Sequence, residues 1–144
     1  MNDKTTGELL AILNRIKKKT DLTDFVEKQL NDEKLITLPA YLELQLKKHS
    51  LEKNEVINQS NIPRTYAYQI FNGTRQPGRD KLMSLCLSMS LDIDETRRAF
   101  NVAGLGELYP KRRRDAILIF AINKQLNVID TNELLHEMNE SPLT

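Results

Sequence analysis

The chain has 144 residues, 40% hydrophobic and 28% charged, with five glycines, five prolines and a formal net charge of +1. That length fits one domain with an appendage at each end, and that composition excludes wholesale disorder. No apolar run approaches the ~20 residues of a membrane span and the N-terminus shows no signal-peptide core, so a membrane is not an expected partner. A lone Cys86 excludes an intramolecular disulfide and points to a cytosolic chain. With one Cys and two distant histidines, His49 and His136, no metal or other cofactor is expected.

In chain order, every convincing element is helical. Leu9, Ile12, Leu13 and Ile16 recur at three- and four-residue spacing and predict an amphipathic helix over 6–19, ending in Lys17-Lys18-Lys19. Leu22, Phe25, Val26 and Leu30 predict a second short helix, capped by Asp21 or Thr23. Leu35 to Leu38 reads as extended and stops at Pro39, which suits the first turn of a third helix with Leu42 and Leu46 on its buried face.

Residues 51–82 carry the most information. A short helix with the apolar pair Val56-Ile57 runs into a turn at Ser60-Asn61; Ile62 follows, and a second short helix from Pro63 stops at Asn72-Gly73. Two helices joined by a tight turn make a helix-turn-helix, whose second helix has the size to lie in a DNA major groove. Pro77-Gly78 opens the next helix, striped by Leu82, Leu85, Cys86 and Met89. Asp92 with Glu95 forms a capping-box pattern for a helix running to Gly104, and residues 105–110 connect. Ile117, Leu118, Phe120, Ala121 and Ile122 make the following helix apolar on most sides, which places it in the core or in a dimer interface. Asp130 with Glu133 opens a last helix, with Ile129 stapled onto Leu134, and Ser141–Thr144 reads as a frayed tail.

Charge is local. Residues 1–38 carry seven basic and seven acidic side chains, whereas Arg64, Arg75, Arg79 and Lys81 between Asn61 and Leu82 face Asp80 alone. Lys111-Arg112-Arg113-Arg114 is a second cluster, and at a helix start it would oppose the dipole. Either it precedes the helix, or it is offset by a phosphate backbone, by an acidic partner, or by Asp115 and salt screening.

The segment from Lys53 to Leu82 resembles the lambda-repressor-like (Cro and XRE type) helix-turn-helix family. Asn61 takes the turn position, Ile62 the aliphatic, Pro63 the helix start, Ala67 and Ile70 the buried positions, Gly73 the closing glycine, and Arg75 and Pro77 the final pair. Tyr41 to Leu143 is also similar to small cytosolic bacterial regulators of this class, through Tyr66 to Arg75, Arg79-Asp80-Lys81 and Leu108-Tyr109-Pro110. Three departures stand out: Asn61 replaces the turn glycine, Val56-Ile57 replaces a small residue, and Phe71 replaces an acidic one. The resemblance implies an all-α, lambda-repressor-like helix-turn-helix bundle with extra N- and C-terminal helices. It divides the chain into an N-terminal extension (1–36), a DNA-binding domain (37–105) and a C-terminal extension (106–144).

Projected as a helix, 63–72 buries Ala67, Ile70 and Phe71 and turns Arg64, Thr65, Tyr68 and Gln69 outward or to the flank. Arg pairs with guanine O6 and N7, and Gln with adenine N6 and N7, each discriminating by roughly 1–3 kcal/mol. Thr65 reaches a thymine methyl or a phosphate; Tyr66 and Tyr68 donate hydroxyls to phosphate or pack in the core. Thr74, Arg75 and Arg79 would grip the backbone strand, unless the two arginines pair with Asp80 or Glu55. The candidate DNA-contacting set is therefore Lys53, Arg64, Thr65, Tyr66, Tyr68, Gln69, Asn72, Thr74, Arg75 and Arg79.

No catalytic constellation emerges: Ser84, Ser88 and Ser90 lack a His–Asp frame, and no phosphate-cradling loop is present. The leading expectation is a sequence-specific double-stranded DNA-binding transcriptional regulator, acting as a homodimer. The alternative is a protein-interaction adaptor or antitoxin-like partner that engages another protein through its terminal helices. A single-stranded or RNA binder, prompted by Tyr66, Tyr68 and Phe71, is the third, although a stacking platform more often lies on a sheet.

Overall fold

The computed structural model describes residues 6–16, 18, 19, 22 and 36–144. These form eight α-helices and no β-strand, so the fold is all-α. The chain divides into two compact units, Met1–Ile36 and Thr37–Thr144.

In the first unit α1 spans Thr6–Arg15 and buries none of its residues. The helix ends at Arg15, whose Nε donates to the Ala11 carbonyl at 3.3 Å, and so stops before the lysine run rather than at residue 19. Leu22 is exposed, and the rest of the expected second helix lies outside the described residues.

In the second unit α2 spans Leu38–Lys48, with Pro39 in its first turn and Thr37 Oγ1 accepting from the Ala40 amide. That cap makes Leu38 the first helical residue, not the end of a strand. Helices α3 (Lys53–Gln59) and α4 (Arg64–Asn72) follow, joined by Ser60–Pro63. Ser60 locks this turn, donating from Oγ to the Ile57 carbonyl (2.8 Å) and accepting from the Ile62 amide (3.2 Å). Asn61 takes the left-handed backbone there (φ 59°), which its short polar side chain tolerates. Ala67, Ile70 and Phe71 are buried, as the projection requires, and burying each of the two large side chains contributes roughly 1.5–3 kcal/mol. Gly73 ends α4 at φ 86°, and a Cβ there would meet Pro39 Cγ at 3.3 Å.

Helix α5 (Arg79–Ser88) is the central element. Every residue from Leu82 to Met89 is buried, and the helix packs against α3, against α6 (Ile93–Val102) and against α8 (Val128–Glu137). Helix α6 starts with the expected capping box: the Glu95 amide donates to Asp92 Oδ1 (2.8 Å) and the Asp92 amide to Glu95 Oε1 (3.0 Å). Helix α7 (Arg113–Asn123) packs on α6 and α8, burying Ile117, Leu118, Ala121 and Ile122 while Phe120 is half exposed.

Three expectations fail at the C-terminal end. Helix α8 begins three residues early, because Asn127, not Asp130, accepts the first-turn hydrogen bond (Asp130 amide, 2.7 Å). Ile129 is then 67% exposed and staples nothing shut. Residues 141–144 are docked, not frayed: Leu143 is buried and its amide donates to Asn132 Oδ1 at 2.8 Å.

The basic run is resolved mostly within the molecule. Lys111 and Arg112 precede α7. Arg114 donates to both Asp80 oxygens (2.8 and 2.9 Å) and to the Ser141 and Pro142 carbonyls. Arg113 reaches the Met138 carbonyl at 2.6 Å and Glu140 at 3.6 Å. These acceptors, with Asp115 in the first turn, offset the dipole cost of two cations at a helix start.

Candidate nucleic-acid interface

Helix α4 rests on α2 and α3 through its apolar stripe, which leaves the opposite face outward. Arg64, Thr65, Asn72, Thr74 and Arg75 are exposed; Tyr66, Tyr68 and Gln69 are half-buried. From Asn61 to Arg79 there is no acidic residue; the carboxylates near this surface are Glu43, paired with Lys53, and Glu55 on α3.

The side chains on it are tied into two small networks. At the start of α4, Arg64 reaches back across the turn, donating from Nη1 to Asn58 Oδ1 (3.0 Å) and from Nη2 to Asn54 Oδ1 (2.9 Å). The Tyr68 hydroxyl donates to the same Asn54 oxygen, and the Arg64 guanidinium lies 5.6 Å from the Tyr68 ring centre. At the far end, Arg75 donates from Nε to Gln69 Oε1 (2.9 Å) and stacks over Tyr66 at 4.4 Å. Lys81 lies 5.4 Å from the same ring, so Tyr66 holds two cations beside it. Asn72 Oδ1 accepts from both the amide and the hydroxyl of Thr74 (2.9 and 2.7 Å), shaping the exit of the helix.

The expected residues do not all converge. Lys53 pairs with Glu43 and lies 5.3 Å from the Phe71 ring, at the flank of the surface. Arg79 is turned to another task. It donates to the Gly106 carbonyl, to the Glu107 carbonyl (3.3 Å) and to Asp115 (3.5 Å), with its guanidinium 5.3 Å from the Phe100 ring. It therefore fastens the 105–110 connector, whose Tyr109 amide also donates to Asp115 (2.9 Å). Neither Asp80 nor Glu55 is its partner, because Asp80 is taken by Arg114.

Three residues outside the expected set belong to this surface: Asn54, Asn58 and Lys81. The first two sit one turn apart on the outer face of α3, a spacing visible in the sequence but with no apolar period to draw attention to it. Among the described residues no group of His, Cys, Asp and Glu is arranged to hold a metal ion, and no helix is long and apolar enough to cross a membrane.

Elsewhere the charged chemistry is structural. Burial pushes the Glu95 carboxyl up, but hydrogen bonds from Lys48, the Asp92 amide and His49 more than offset it and hold the group at about 2. Burial pushes the Cys86 thiol up to about 12, beyond the range of a nucleophile. The chain matches no protein-family model, no curated protein and no solved structure.

Proposed function

We propose that this chain is a sequence-specific double-stranded DNA-binding regulator of the lambda-repressor-like helix-turn-helix class, with α4 entering the major groove. The observation that carries the reading is the outward face of α4. Arg64, Thr65, Tyr68 and Gln69 stand there over a fixed apolar base, flanked by Arg75 and Lys81 and by no acidic side chain between Asn61 and Arg79. Arg and Gln at such positions meet base edges, and the flanking cations meet phosphates. The protein acts as a homodimer in the cytoplasm, because one short helix reads few base pairs. It has no catalytic role in this reading.

The experiment is selection of bound sequences from a random duplex pool, followed by anisotropy titrations of the winner at several salt concentrations. The expected result is a recurrent half-site and an affinity that falls steeply with salt, the mark of displaced counterions. Equal affinity for all duplexes refutes sequence-specific regulation. A second reading, an adaptor or antitoxin-like partner, is favoured by Phe120 (49% exposed) and Ile129 (67%) on the last two helices. It predicts one stoichiometric protein partner and no retained DNA at low salt.

A further inference from the structure

Asn54 and Asn58 have a consequence for what this surface accepts. The guanidinium of Arg64 has only donors, so its two bonds establish that each asparagine turns its carbonyl oxygen inward and its NH2 group away from Arg64. Asn54 Oδ1 takes the Tyr68 hydroxyl as well, which fills both its lone pairs. The two amide nitrogens have no hydrogen-bond partner among the described residues, and three of the five guanidinium N–H groups also remain open. Around Arg64 the surface thus carries a dense set of donors; Asn54 Oδ1 is filled, and Asn58 Oδ1 is turned to Arg64 with one lone pair left.

Such a cluster discriminates between bases. In the major groove adenine presents one acceptor and one donor, N7 and N6–H, so a carboxamide reading it must offer a free oxygen. Guanine presents O6 and N7, both acceptors. Phosphate is also an acceptor and can take the same two-point fork, so the experiment below separates it from a base edge. A guanidinium held at both terminal nitrogens and laid against a ring has a fixed plane, which is the requirement of planar two-point recognition. We infer that Arg64 reads the O6/N7 edge of guanine, and that Asn54 and Asn58 are positioning residues that hold it for that edge and bar adenine. This rests on the duplex-binding reading above.

The test uses the full chain and the duplex recovered by selection. Each guanine of the half-site is replaced in turn by adenine, and separately by 7-deazaguanine, which keeps the pairing but lacks the N7 acceptor. One position should lose about tenfold or more in affinity with either replacement. In Asn54→Ala/Asn58→Ala the guanine-over-adenine ratio at that position should fall to within about threefold, with the salt slope and urea midpoint unchanged. Asn54→Asp keeps an acceptor for Arg64, so it should bind more weakly overall yet retain the ratio. Arg64→Lys keeps the charge but not the fork, and should lose the ratio at an unaltered salt slope.

A ratio unmoved in the double-alanine variant overturns the inference and leaves duplex recognition standing. So does 7-deazaguanine that is harmless at every position while a methylphosphonate linkage weakens binding, since Arg64 would then grip phosphate. A chain that binds no duplex at all removes the proposed function and this inference together.

Discussion

The clasp between Asp80 and Arg114 invites the sharpest test of the packing. Four hydrogen bonds converge on the Asp80 carboxylate: two from Arg114 (2.8 and 2.9 Å) and two from Thr144, amide and hydroxyl (3.2 and 3.3 Å). The paired side chains are 22% and 26% exposed, which places them between two regimes. Exposed pairs contribute about 0.2–1 kcal/mol, whereas breaking a fully buried pair costs about 3–5 kcal/mol. A bidentate, three-quarters-covered pair should therefore couple by about 1–2 kcal/mol. The measurement is a double-mutant cycle with Asp80→Asn and Arg114→Gln, read by urea unfolding of the full chain at pH 7. Acid supplies the second arm. Burial raises the Asp80 carboxyl, but the Arg114 and Thr144 hydrogen bonds outweigh it and lower the group below its ordinary 3.8. A depressed folded value means the stabilisation is present above 3.8 and is lost as pH falls through the lower folded value, so the coupling should shrink as pH drops below 3.8. A coupling under about 0.3 kcal/mol at pH 7, or one that persists undiminished in acid, refutes the reasoning.

The remaining predictions test other joints. Gly73→Ala forces a side chain into φ 86° with its Cβ 3.3 Å from Pro39 Cγ, and should cost about 1–2 kcal/mol of stability, read by urea unfolding. Gly78→Ala, where an added Cβ meets nothing within 4 Å, is the control and should move stability by less than about 0.5 kcal/mol. Glu95→Gln should lose about 1–2 kcal/mol at pH 7, a figure reduced for the exposure of Lys48. That difference from the parent should disappear as pH falls from 4.5 to about 2, because the folded carboxyl is depressed and its contribution is lost only on protonation. Cys86 is fully buried, with its thiol pushed up to about 12, so a disulfide reagent at pH 8 should leave the folded chain untouched and label it only in denaturant.

Much of the fold was legible because helices write their buried face into sequence period. Ala67, Ile70 and Phe71 declared the inner side of α4, and Leu82, Leu85, Cys86 and Met89 that of α5; all are buried. The Asp92–Glu95 box marked a helix start because two side chains three residues apart must reciprocate across one turn. The same pattern misled at Asp130 and Glu133, where Asn127 caps first and makes Asp130 merely the first-turn acid. A cap is a competition between neighbouring side chains, and the loop entering the helix decides it. The docking of residues 141–144 was illegible for another reason: Leu143 is one apolar residue without a period, and its anchors, Asp80 and Asn132, are distant in sequence.

The candidate site divides along the same line. Which residues of α4 face outward follows from helix geometry alone, and Arg64 and Thr65 are exposed as that geometry demands. What those residues do to one another does not follow, because a carboxamide has a donor end and an acceptor end and sequence does not say which is turned out. Gln69 shows the consequence. Its Oε1 accepts from Arg75, so a lone glutamine expected to offer both ends to adenine instead shares its oxygen with a cation. Arg79 shows the converse, a cation whose local neighbours suggest phosphate but whose carbonyl and carboxylate partners lie 27 to 36 residues away. For a surface of Arg, Asn, Gln and Tyr, the specificity it can express is therefore set by internal hydrogen bonds before any ligand arrives. Under the proposed duplex-binding reading, the residues to exchange when altering base preference are as much Asn54 and Asn58 on α3 as Arg64 on α4.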